Sequence, residues 1–174
     1  MAQFLSNQIA YKMPCLSNAE KGEMTVDRNT VTVPVSHVAG DLVILGKLPN
    51  GHEIVDAMVI SDQIDSGAGL VTTVGVVNDA GTDLVANTTL IASSTTLGRT
   101  AGTVNRADTA TGLSLAALTA VNTASDVGTV ESAATATSLL GRRNGDRAIA
   151  LKITTAAATK VQGNITLVLS YRAI

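Results

Sequence analysis

The residues of this chain that come nearest to chemistry are its clustered carboxylates, Asp41, Glu53, Asp56, Asp62 and Asp65. Two carboxyl groups facing each other about 5 to 10 Å apart across a cleft can hydrolyse a glycosidic bond, one as acid and the other as base or nucleophile. Sugar clefts also offer aromatic platforms for the ring, and this chain has one Phe, two Tyr and no Trp. The histidines, His37 and His52, both flank expected turns and belong to no nucleophile or metal motif, so they read as surface or strand-end side chains. No G-x-S-x-G elbow, P-loop or H-E-x-x-H occurs. The lone cysteine, Cys15, allows no intramolecular disulfide, has no basic neighbour in sequence to activate it, and joins no zinc-spaced cluster. In residues 62–69, DQIDSGAG, the calcium-loop pattern is absent, and Gly67-Ala68-Gly69 lacks both a third glycine and a following helix. These residues point away from an enzyme and imply no cofactor and no metal.

The elements that would position these carboxylates are strands. Residues 40–77, GDLVILGKLPNGHEIVDAMVISDQIDSGAGLVTTVGVV, read as three consecutive strands in which Leu, Ile and Val alternate with smaller or polar residues. Asp41 to Leu45 is apolar on both faces, as in a strand covered on both sides. Pro49-Asn50-Gly51 suits a short hairpin loop. In the next strand the alternation puts Ile54, Asp56, Met58 and Ile60 on one face and Val55, Ala57 and Val59 on the other, so Asp56 interrupts an apolar face and needs a partner there. Upstream, Val31, Val33 and Val35 alternate with Thr30, Thr32 and Pro34, and the proline places this half-buried strand at a sheet edge or a bulge. Downstream, residues 148–153 and 164–171 alternate cleanly and are expected to form a closing hairpin. Between them, residues 78–146 are rich in Thr, Ala, Ser and Gly. Short helices fit residues 83–97 and 112–121, and short strands fit equally well. Residues 1–24 form an arm with Phe4, Leu5, Ile9, Tyr11, Met13 and Leu16 scattered along it; such a segment packs along the domain or docks on another subunit.

The fold class that follows is all-β and mainly antiparallel, a single β-sandwich over residues 25–174 with an elaborated region at 78–146, one or two short helices in the middle, and an N-terminal arm at 1–24. At 174 residues the chain is long enough for one core, and with 45% hydrophobic but only 2% aromatic residues that core is built from branched aliphatics. The net charge of −2 gives no global field towards nucleic acid. No apolar run reaches the length of a membrane span and no secretory signal is evident, so a protein made in a cytoplasm is expected. The run 141–147, GRRNGDR, reads as a tight turn or as a small basic patch, through Arg142 and Arg143, for an acidic partner.

The segment GDLVILGKLPNGHEIVDAMVISD, with the Gly-rich turn after it, LVTTVGVVNDAGTDLVANTTLIASSTT, and the terminal LVLSYRAI, resembles small structural proteins of tailed-bacteriophage particles. The likeness covers roughly residues 38–97 and 147–174. It implies a jelly-roll-like sandwich serving as a capsid decoration, or cement, protein on the capsid exterior, bridging subunits of the major capsid protein. With it come the expectations of a homo-oligomer, a trimer before a dimer, and of capsid or subunit contacts through Phe4, Leu5, Ile9, Tyr11, Met13, Arg142 and Arg143. A tail, neck or fibre component that touches a host glycan is the alternative.

Overall fold

In a computed structural model of the chain, the residues described are 1–10, 23–49, 52–78, 81–107 and 147–173. Their elements run β1 (Gln3–Leu5), α1 (Asn7–Ala10), β2 (Met24–Val33), β3 (Leu42–Leu48), β4 (His52–Ser61), β5 (Val71–Val77), β6 (Leu84–Ser94), β7 (Thr103–Arg106), β8 (Arg147–Thr155) and β9 (Gly163–Ala173). The all-β class expected from the alternation is the class observed. Two sheets face each other, one ordered β1-β3-β8-β5-β6 and the other β2-β9-β4-β7. Every pairing among them is antiparallel except β1 with β3. Taken from β2 onward, the chain passes from one sheet to the other at almost every connection, a winding of two four-stranded sheets compatible with a jelly roll, to which β1 adds an edge strand.

This winding corrects two sequence expectations. The Pro-Asn-Gly link does not make a hairpin, because β3 and β4 lie in opposite sheets, and β8 and β9 are likewise separated across the sandwich. Alternation fixes which face of a strand is buried but carries no information about its hydrogen-bonded neighbour. The link between β8 and β9 has enough residues to cross the roughly 10 Å between stacked sheets. Residues 83–97 resolve in favour of strand: Leu84–Ser94 pairs with β5 through an irregular register. Of the two side chains able to cap a helix there, Thr82 and Asp83, the latter instead accepts from the Leu84 N–H at 2.7 Å and from the Lys152 ammonium at 2.6 Å. The other helical candidate, residues 112–121, lies outside the described residues.

Between the sheets sit Val43, Leu45, Leu48, Val74, Val76, Leu90, Ile149, Leu151 and Ile153 from one side and Val31, Val33, Ala57, Val59, Ile165, Leu167, Leu169 and Tyr171 from the other. β3 is buried at every position because a second cluster, Leu42, Ile44, Val77, Ala148 and Ala150, forms on the far face of the same sheet. β2 takes the edge of its sheet as expected, but it ends at Val33, so Pro34 lies just beyond it and Val35, expected on the buried side, is exposed.

A bulge at Val55 settles the position of Asp56. The β4–β9 register slips between Ile54 and Asp56, so Ile54 stays in the core while Asp56, Met58 and Ile60 turn outward and Ala57 and Val59 point in. Its carboxylate meets Arg106 of β7 in a two-pronged ion pair, at 2.8 Å from Nε and 2.6 Å from Nη2. The Arg106 hydrogen bond outweighs the small cost of burial and holds the Asp56 carboxyl below its ordinary range.

One end of the sandwich is closed by three loops meeting at Asp65. Its fully buried carboxylate accepts from the Gly67 and Thr159 N–H groups through Oδ1, at 2.9 Å each, and from Gly69 and Leu70 through Oδ2, at 3.1 and 2.8 Å. Burial alone would raise its pKa, but the backbone donors prevail and pull it down to about 2. The glycines permit this approach: a Cβ on Gly67 would stand 2.6 Å from the Ala158 Cβ, and one on Gly69 3.0 Å from the Ala156 carbonyl oxygen.

Candidate interface at the N-terminal arm

The first residues of the arm form a strand because β3 has an open edge beside them and a carboxylate to start the pairing. Asp41, fully buried at the head of β3, accepts the Ala2 N–H at 2.6 Å through Oδ1 and the Val38 N–H at 2.9 Å through Oδ2. The Leu42 N–H then donates to the Ala2 carbonyl at 3.1 Å, and the Ser6 N–H to the Ile44 carbonyl at 2.9 Å. Between these ends Gln3, Phe4 and Leu5 lie opposite Leu42, Val43 and Ile44. The Gln3 side-chain amide reaches the Gly81 carbonyl, and a single helical turn, with Ala10 N–H donating to Ser6 at 2.8 Å, carries the chain away.

Period-two alternation divides the arm's apolar side chains between two surfaces. Phe4 packs on the main core and Leu5 on the second cluster, each half-buried, while Met1 remains 68% exposed. Ile9 lies within α1. Tyr11, Met13, Arg142 and Arg143 lie outside the described residues. Arg147, the last arginine of the GRRNGDR run, belongs elsewhere: it is buried and its guanidinium donates to the His52 carbonyl at 2.7 Å, tying β8 to β4 across the sandwich.

Four of the five carboxylates considered for catalysis, all but Glu53, have separate employment in the described structure. Asp41 holds the arm, Asp56 holds Arg106, and Asp65 closes the loop end. Asp62 accepts from the Asn164 N–H at 3.0 Å. Both histidines are buried rather than at the surface. The His37 ring sits 2.7 Å from the Pro34 carbonyl within the turn after β2, and His52, at the start of β4, meets Tyr171 edge-to-face with ring centroids 5.6 Å apart. Among the described residues, no group of three or more His, Cys, Asp or Glu is placed to hold a metal ion, and no helix is long and apolar enough to cross a membrane. Sequence reasoning missed Asp41 as an anchor. The available signal was a carboxylate directly before a strand apolar on both faces, a position where burial demands hydrogen-bond donors.

Comparison with solved structures finds the same fold in phage shells. A chain of the capsid of Ralstonia phage GP4 is similar with a TM-score of 0.64 at 24% identity, over 99% of this chain and 98% of that one. A chain of the cyanophage Pam1 capsid asymmetric unit is similar with a TM-score of 0.53 at 16% identity, over 93% of each. No protein-family model matches the chain, and no curated protein matches it.

Proposed function

We propose that this protein is a structural component of a tailed-phage virion, that its sandwich is a jelly roll, and that it binds the outside of the capsid and stabilises the shell by bridging neighbouring copies of the major capsid protein. The observation that carries this reading is the extent of the likeness to the Ralstonia phage GP4 capsid chain: the two match from end to end, with no large domain left over on either side. The shared sequence pattern described above and the structural employment of Asp41, Asp56, Asp62 and Asp65 support a role without catalysis.

The physical task is to resist outward pressure. A shell packed with nucleic acid is pushed apart at its subunit boundaries, and a rigid bridge repeated by the symmetry of the lattice opposes that separation at each one. A sandwich closed at one end by the Asp65 loops is suited to carry such a load. We further propose that residues 1–24 touch the capsid or a neighbouring copy and that the protein acts as a homo-oligomer, a trimer before a dimer. Electron cryomicroscopy of purified particles with and without this chain tests the main reading. The difference density is expected as many lattice-related copies on the outer surface; density confined to the tail axis, or none, overturns it.

A further inference from the structure

The two sheets differ in what covers their far faces. That of the β1-β3-β8-β5-β6 sheet buries Leu42, Ile44, Ala148 and Ala150 almost completely, whereas that of the β2-β9-β4-β7 sheet stands open among the described residues, with Val26 and Val104 each 53% exposed. Register places the open face's side chains in rows. Arg28, Val168, Met58 and Arg106 lie side by side across the four strands, and Thr30, Thr166, Ile60 and Val104 form the next row. The result is an apolar centre of Val168, Met58, Ile60 and Val104 with an arginine at each end.

The charge on this face runs against that of the molecule. Arg28, Arg106 and Arg172 are exposed there, against the acidic residues Asp56 and, opposite Arg172 by register, Glu53, so arginines outnumber acids on a chain that carries −2 as a whole. Arg106 keeps 72% of its side chain in water even while paired with Asp56, so it can accept a second carboxylate. A second copy laid on this face about a two-fold axis would bring arginine rims together, which like-charge repulsion opposes. Nucleic acid would use the arginines but leave the apolar centre unmatched, and would meet the repulsion of an acidic protein.

We infer that the open face of the β2-β9-β4-β7 sheet docks on a shell protein, against a patch with an apolar centre and carboxylates at its rim. The inference rests on the virion reading and adds to it the surface and the chemistry of the contact.

The test adds purified full-length protein to shells assembled without it and measures binding at several salt concentrations. Arg28→Glu and Val104→Glu sit on opposite edge strands of the face, both exposed, and each is expected to weaken binding about tenfold or more with an unchanged melting curve. Ala92→Glu, on exposed β6 of the other sheet, is expected to bind within about twofold of the unsubstituted chain. Binding of the unsubstituted chain is expected to fall as salt rises. Face variants that bind as well as the unsubstituted chain overturn the inference, as does an equal loss in Ala92→Glu. Binding to duplex DNA as tight as to shells overturns the partner class. If the unsubstituted chain binds no shell at all, the virion reading itself fails, an outcome distinct from failure of the variants alone.

Discussion

A carboxylate shut away from water stays ionised only where donors converge on it, and Asp65 meets that condition with backbone N–H groups from two separate loops. Its pKa in the folded protein is depressed, to about 2 from an ordinary 3.8. The stability it contributes is therefore present above pH 4 and is lost as pH falls from about 4 towards 2, a difference on the order of 2 kcal/mol. Asp65→Asn is expected to lower stability at neutral pH by about that amount and to flatten this part of the acid-denaturation profile, as measured by urea unfolding across pH. Gly67→Ala drives a methyl group against the Ala158 Cβ and is expected to cost about 1 to 3 kcal/mol, with Ala158→Gly restoring part of the loss in the double variant. The ion pair of Asp56 with Arg106 is more exposed, and Arg106→Ala is expected to change stability only slightly at low salt and by nothing measurable at high salt.

Strands were legible where one face is buried and the other is not. The Val31 and Val33 alternation and the double-sided burial of β3 follow from local pattern and the structure shows both, whereas Val35 is exposed because the strand stops before Pro34. Three features could not be read in the same way. The bulge at Val55 inserts one residue into a strand whose sequence alternates through it, so Ile54 turns into the core while Asp56 stays with Met58 and Ile60 on a face that points outward. The partners of β3, β4, β8 and β9 depend on tertiary winding rather than on any turn residue. For residues 84–94, a capping acid followed by spaced aliphatics serves helix and strand alike, and pairing with β5 decides. Of the interface candidates, Phe4 and Leu5 were visible as apolar residues in a polar arm, but the feature that seats them, the Asp41 carboxylate beneath Ala2, lies far along the chain. Asp41→Ala is expected to loosen β1 and leave the β3 edge open to other chains. Faster hydrogen exchange at Leu42 and a greater tendency to aggregate would register this, and unchanged exchange would show that β1 holds without its anchor.

At the scale of the molecule, a bridging role requires a defined assembly. Sedimentation velocity of the purified chain is expected to give a trimer, and a monomer at all concentrations would remove the proposed oligomer. The two sheets also impose an order in time. β9 is the last of the described strands, yet it is an interior strand of its sheet, bonded to β2 on one side and β4 on the other. On the ribosome, β2 emerges with no neighbour to pair with and β4 can pair only with β7, so Val31, Val59 and Ala57 lack part of their cover until Gly163–Ala173 has left the exit tunnel. Closure of this sheet therefore waits for a strand made long after β2 and β4, and until then their apolar sides are open to aggregation. A nascent chain stalled before β9 is expected to be cut readily by protease and held by chaperones, and released full-length chain to resist cleavage.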